Sequence, residues 1–213
     1  MKERPSLFSS PMVRALLADT KTQTRRVCKP AEAASLSFVA GPFEHDERVL
    51  KLWGDEDGFV RFPCPYGQRG DRLWVRETWG TCDFFKNTAP RDLPNFAPIK
   101  YFADGAIVGA TAGYGLILKG RPSIHMPRRV SRITLEIVAV RVERLQDISE
   151  SDAIAEGIHA GSGDFSGCYW CGESMSGTTA KECYARLWDS INGPGSWAAN
   201  PWVWAIEFRR VTT

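Results

Sequence analysis

No stretch of this 213-residue chain approaches the roughly 18 to 20 apolar residues that a membrane-spanning helix needs, so no membrane partner is expected. The opening Met1-Lys2-Glu3-Arg4-Pro5 leads to no apolar signal-peptide core, and a cytoplasmic protein is expected. Charge of one sign is scarce: 27 basic residues face 25 acidic ones, a net charge of +2. That is not the balance of a protein that wraps duplex DNA by charge alone. Only local basic runs remain, at Arg25-Arg26, Arg128-Arg129 and Arg209-Arg210. Cysteine is also sparse. Six in the chain are too few for a disulfide scaffold, and Cys28, Cys64, Cys82 and Cys183 are scattered singly. Cys168-Tyr169-Trp170-Cys171 has metal-like spacing, but a structural zinc wants two more ligands and no matching second pair follows. No metal and no cofactor is therefore expected. Internal repeats, coiled-coil heptads and low-complexity tracts are absent as well.

What is present is a set of short, separated strand patterns with few helices. Residues 5–19 open apolar and continue as a helix, with Ser10 as cap and Pro11 at the first helical position. A strand is expected at 24–27, and 29–58 reads as an irregular excursion with a short hairpin. Residues 58–63 and 71–78 read as strands around a Pro65-Tyr66-Gly67 turn, and 80–99 as a long loop. Strands at 99–102 and 106–110 flank an Asp104-Gly105 turn. The strongest strand signal is 129–145, where Ile133, Leu135, Ile137 and Ala139 share one parity. Residues 149–157 form a capped helix stopped by Gly157. A Gly- and Ser-rich loop covers 158–178, a helix 179–191 and a closing strand 201–211. No strand–helix unit repeats, which argues for one α+β domain built on a small mixed β-barrel with flanking helices and long inserted loops.

Chemistry concentrates in two runs. Lys21-Thr22-Gln23-Thr24-Arg25-Arg26 holds an amine, a hydroxyl three residues on and two guanidinium groups. Gly70-Asp71-Arg72-Leu73-Trp74-Val75-Arg76-Glu77 ends a buried strand on a carboxylate. A threonine hydroxyl needs a base, and a lysine can serve where desolvation or nearby positive charge lowers its pKa. Glu77 can orient the ammonium or move a proton. The structural alternative is that Lys21 and Thr24 finish a helix and Glu77 pairs with an arginine. On a strand, Glu77 shares a face with Leu73 and Val75, where burial raises its pKa unless a cation is near. Arg72, Trp74 and Arg76 lie on the other face. Trp74, Trp79 and Tyr66 are candidates for base stacking or for the core. His125 is a candidate for phosphate contact or a structural role.

These two runs, with the closing Trp202-Val203-Trp204-Ala205-Ile206-Glu207-Phe208 strand, resemble the ASCH family of the PUA-like superfamily. The Pro65-Tyr66-Gly67, Ser123-to-Arg128 and Arg144-to-Ser149 segments make the chain similar to the long ASCH-type proteins of bacteriophages and prophages. The resemblance implies a PUA-like barrel with a cleft for a nucleobase or RNA. It also implies an amidohydrolase that releases the acetyl group of N4-acetylcytidine. Lys21, Thr24 and Glu77 would be catalytic, with Thr24 or a water attacking. Arg25, Arg26, Arg76, Trp74 and Tyr66 would bind substrate, and Arg25 or Arg26 would stabilise the oxyanion. The chain is about twice as long as that enzyme, with extra material near 30–60, 80–120 and 158–178. A non-catalytic RNA- or nucleotide-binding module, a ribonuclease of the same fold and an accessory protein binding a host or phage partner remain the competing readings.

Overall fold

The computed structural model describes residues 1–29, 38–40, 49–54, 58–109, 120–162, 166–171 and 175–211. Strand β1 (Glu3–Leu7) leads through helix α1 (Ser10–Leu17) to β2 (Gln23–Val27). The short strands β3 (Phe38–Ala40), β4 (Val49–Gly54) and β5 (Gly58–Pro63) follow. Next come β6 (Arg72–Arg76), β7 (Trp79–Thr81), β8 (Ile99–Tyr101) and β9 (Ile107–Val108). The long β10 (Thr134–Arg144) precedes helix α2 (Glu150–Ala155). Strands β11 (His159–Ala160), β12 (Tyr169–Cys171) and β13 (Met175–Gly177), helix α3 (Ala180–Asn192) and strand β14 (Trp202–Arg210) complete the chain.

The architecture is mixed α+β. A five-stranded sheet runs β1-β6-β10-β14-β2, with β1 parallel to β6 and the remaining pairs antiparallel. Three three-stranded sheets, β3-β4-β5, β7-β8-β9 and β11-β12-β13, stand apart from it. β8 and β9 fall where strands were expected, whereas β11, β12 and β13 occupy a stretch expected to be loop. The expected barrel is not closed: β1 and β2, the outer strands of the main sheet, share no ladder among the described residues. Helix α1 packs into the open side instead, where Val13 and Leu16 join Phe8, Leu73, Leu135 and Trp204 in one core. A side chain bridges the outer strands, as Arg26 Nη2 donates to the Leu7 carbonyl at 2.6 Å.

β1 was not visible as a strand in the sequence. Its Pro5 breaks the β pattern, yet proline is tolerated on an outer strand because its missing N–H faces no partner. Helix α1 starts as expected near Pro11, but Ser9 is the capping residue and its hydroxyl makes no capping bond. At α2 the cap is Ser149, which accepts from the Asp152 N–H at 3.0 Å. Helix α3 is capped by Thr179, which accepts from the Glu182 N–H.

Two features of the main sheet place the site. The first is β14, which is buried on both faces. Trp202, Trp204, Ile206 and Phe208 enter the core beneath α1, whereas Val203 joins a second core with Leu145, Ile148, Tyr184 and Trp188 under α2 and α3. The second is a bulge between Ile137 and Ala139 in the β10–β14 pairing. The extra residue flips the parity of β10. Leu135 and Ile137 point into the first core, but beyond the bulge Val140 and Val142 pack there, not Ala139 as expected. Arg141 and Glu143 are thereby turned to the face that carries α2.

Candidate functional site

On β2 the period of two separates Gln23, Arg25 and Val27 from Thr24 and Arg26. Val27 packs against the core under α2 and α3, and the Arg26 guanidinium lies over the Phe8 ring at 5.6 Å. Arg25 therefore meets the charged end of β10 and helix α2. Each of its N–H groups is occupied. Nε and Nη2 both donate to Glu143 Oε1, at 2.9 and 2.6 Å. Nη2 also donates to Asp152 Oδ2 at 2.9 Å, and Nη1 to Gln23 Oε1 and Glu156 Oε1, each at 3.2 Å. Arg141 extends the network to Glu143, Asp152 and Glu207. No donor of Arg25 is left for an oxyanion.

Glu156 is the centre of this network. It follows the last turn of α2 and precedes Gly157, which adopts φ +100°. That conformation ends the helix and favours glycine. The chain there lies close to its neighbours: a Cβ on Gly157 would sit 3.2 Å from the Ala15 Cβ and 3.5 Å from the Lys21 Cβ. Thr22 N–H donates to the Ala155 carbonyl at 2.8 Å, which locks the end of α2 against the segment before β2. Lys21 is thus brought onto Glu156. Its Nζ donates to Glu156 Oε2 and to the Glu156 carbonyl, both at 2.7 Å. The Lys21 side chain has 0% exposure. Burial pushes its pKa below the ordinary lysine value, against the pull of Glu156; Arg26 and Arg25 push the same way as burial.

Glu156 also borders a cavity of about 460 Å³ between β1, α1, β2 and α3. Its wall combines apolar Leu7, Phe8, Met12, Leu187, Trp188 and Ile191 with the polar groups of Ser9, Arg25, Arg26, Lys29, Tyr66, Thr78, Ser123, Tyr184 and Asn192. This size and this mixture suit a small organic ligand. Tyr184, from α3, is fully buried; burial, then the Glu156 charge, raises its phenol well above the ordinary range, so it stays a neutral donor. Among the described residues its hydroxyl makes no hydrogen bond. The Nε of Arg26 and the Nε1 of Trp188 are likewise buried without a partner. A second, smaller space of about 60 Å³ also borders Glu156, bounded by Ser9, Pro11, Met12, Gly157, Cys171 and Leu187.

The structure brings some of the expected site residues together and not others. Arg25, Arg26 and Tyr66 line the cavity. Lys21 stands behind Glu156, outside the wall. Thr24 is buried on the opposite face of β2 from Arg25, paired in register with Ile206. Glu77 is 1% exposed and bound by Arg132 through two bonds, Nε to Oε1 at 2.9 Å and Nη2 to Oε2 at 3.0 Å. Arg132 is also paired with Asp104 and stacked 4.1 Å from the Tyr101 ring centroid. Arg132 is the cation that a buried Glu77 requires. No hydrogen bond among the described residues joins Glu77 to Lys21 or Thr24. Arg76 stacks on Trp74 at 4.6 Å and donates to the Ile124 carbonyl, away from the cavity wall. Trp79 is wholly buried under Arg121. His125 is exposed on a short 3-10 turn. Cys168 and Cys171 meet no further ligands: the described residues hold no group of three His, Cys, Asp or Glu arranged for a metal.

Three members of the site escaped the sequence reading. Glu156 looked like the unremarked end of a capped helix, Asp152 like a capping group and Tyr184 like one more aromatic of α3. The one available signal was Arg141-Val142-Glu143, which sets charges alternating with valines in a strand otherwise read as core. No helix among the described residues is long and apolar enough to cross a membrane. Compared with protein-family models, curated proteins and solved structures, the chain finds no match.

Proposed function

We propose that this chain is an ASCH-type amidohydrolase that removes an acyl group from the exocyclic amine of a nucleobase or nucleoside, N4-acetylcytidine being the model substrate. The observation that carries the reading is Glu156: a buried carboxylate on the wall of a 460 Å³ mixed cavity, fixed by a lysine and an arginine. The apolar side of the cavity, with Trp188 and Tyr66, accepts the flat base. Glu156 takes a proton from a water, whose oxygen forms the new bond to the acyl carbon. The neutral Tyr184 hydroxyl donates to the oxygen that becomes negative. The C–N bond then breaks, and Glu156 returns the proton to the leaving amine. Lys21 and Arg25 act by holding Glu156 in place, so the role first expected of Glu77 passes to a carboxylate 79 positions further along the chain.

The test is turnover of N4-acetylcytidine to cytidine and acetate, followed by chromatography. Glu156→Gln is expected to lower kcat by about 10²–10⁴-fold with KM little changed, which is the size of a general-base contribution. Glu77→Gln is expected to turn over like the wild type. Full activity in Glu156→Gln, or its loss in Thr24→Ala and Glu77→Gln with folding intact, would return the chemistry to the Lys21, Thr24 and Glu77 set. A second reading, a binding module without turnover, is favoured by one fact: both Glu156 oxygens already accept a cation. It predicts calorimetric binding of N4-acetylcytidine with no product.

A further inference from the structure

Among the described residues, the cavity wall carries two positive charges that no carboxylate balances. Glu156 is its sole acidic side chain among the described residues, and that charge is already shared between Lys21 and Arg25. Arg25 in turn is neutralised by Glu143 and Asp152. Arg26 and Lys29 remain. Neither has an acidic partner among the described residues. Several arginines of the fold are matched with a carboxylate: Arg4 with Asp71, Arg128 with Glu3, Arg132 with Glu77 and Arg210 with Asp19. Arg76 and Arg121 bond backbone carbonyls as Arg26 does, but what distinguishes Arg26 and Lys29 is that they line the cavity. Arg26 uses Nη2 to hold the Leu7 carbonyl, but its Nε is buried and has no acceptor. A buried donor without an acceptor is costly unless something fills the vacancy. Beside these cations the wall offers the Ser9 hydroxyl, which makes no capping bond to α1.

We propose that the ligand of this cavity carries a phosphomonoester, held by Arg26, Lys29 and Ser9, so that the preferred form of the substrate is a nucleoside monophosphate and not the free nucleoside. The inference rests on the nucleobase reading of the cavity given above. The chemistry fits the two halves of the wall. A planar base suits the apolar half formed by Leu187, Trp188 and Ile191. A dianionic group with three acceptor oxygens suits a guanidinium and an ammonium that lack counter-charges. A bare nucleoside would leave both cations unanswered.

The experiment is calorimetric titration of the full chain with cytidine, cytidine 5′-monophosphate and the dinucleoside monophosphate CpC, which has a phosphodiester but no terminal phosphate. Cytidine 5′-monophosphate is expected to bind about 10- to 100-fold more tightly than cytidine, the range for one or two charge-assisted hydrogen bonds. The gain should shrink as salt is raised. Lys29→Gln, an exposed substitution that leaves the fold alone, should reduce the gain while cytidine binds as before. Equal affinity for cytidine and its monophosphate would overturn the phosphate inference and leave the nucleobase reading standing. CpC binding more tightly than the monophosphate would overturn the monoester in favour of a polymer. Binding of none of the three would overturn both readings.

Discussion

Removing the whole Lys21–Glu156 pair should cost far less than the sum of removing each partner alone. Burial lowers the pKa of Lys21 despite the carboxylate 2.7 Å away, so desolvation outweighs the attraction. An ion pair of this kind adds little net stability over an apolar pair of the same volume, but half of one is a buried charge without its answer. In Lys21→Met the methylene packing is kept and Glu156 retains only Arg25; the expected loss is about 3 kcal/mol. In Glu156→Leu the ammonium keeps nothing but a carbonyl, and the loss should be about 4 kcal/mol. The double variant Lys21→Met/Glu156→Leu removes both charges and should be no worse than the poorer single variant. The coupling is then at least about 3 kcal/mol. Urea unfolding with linear extrapolation measures all four corners, provided the m-value stays constant. For a chain of this length each single change should lower Tm by about 6–16 °C. A double variant whose loss equals the sum of the singles would refute the argument, as would Lys21→Met within about 0.5 kcal/mol of the wild type.

Asp152 gives a pH test. Burial pushes its carboxyl up, but the Gln23 hydrogen bond and the Arg141 and Arg25 charges win and hold it below its ordinary 3.8. The folded state then binds fewer protons than the unfolded state, so the contribution is present above pH 3.8 and fades as pH falls through the lower folded value. Asp152→Asn should cost about 1–2 kcal/mol at pH 6, a deficit that narrows as pH falls below 3.8; a deficit constant with pH would count against the assignment. Cysteine reactivity gives another check. Burial pushes the Cys64 thiol up to about 11 and Cys171 to about 12, from an ordinary 9.0. Thiolate should be about 100-fold and 1,000-fold scarcer than for a free thiol, and alkylation at pH 8 read by mass spectrometry should be slowed in proportion. Labelling of either at the rate of a small thiol would contradict the burial described.

The sheet was legible where a strand carries a period-two apolar pattern. β6, the first half of β10 and β14 do so, and they lie where those patterns put them. The outer strand β1 was not legible: five residues with a proline at the centre read as a lead-in to the helix. The bulge at Ile137 was not legible either, because an extra residue leaves no mark on composition. That one residue decided the site, since it turned Arg141 and Glu143 toward α2. The Lys21-to-Arg26 run lies at the candidate site, as Arg25, Arg26 and Lys21 all converge on the cavity or its backing. What it could not reveal was the partner. Glu156 lies 135 residues from Lys21, and only the folded chain brings the two together. Glu77 was read correctly as a buried carboxylate needing a cation, but nothing near it in sequence pointed to Arg132.

The open edge of the main sheet has a consequence for how the protein avoids sticking to itself. A strand with unpaired N–H and C=O groups is a template for another chain. Here the two such strands, β1 and β2, border one common hollow, and the Arg26–Leu7 bond holds them at a distance that a side chain can span but a ladder cannot. At the Leu7 end, therefore, the two edges face each other across that hollow. A molecule lodged between them would act as a clasp, tying the first strand of the sheet to the last and turning an open ribbon into a closed ring only while it stays.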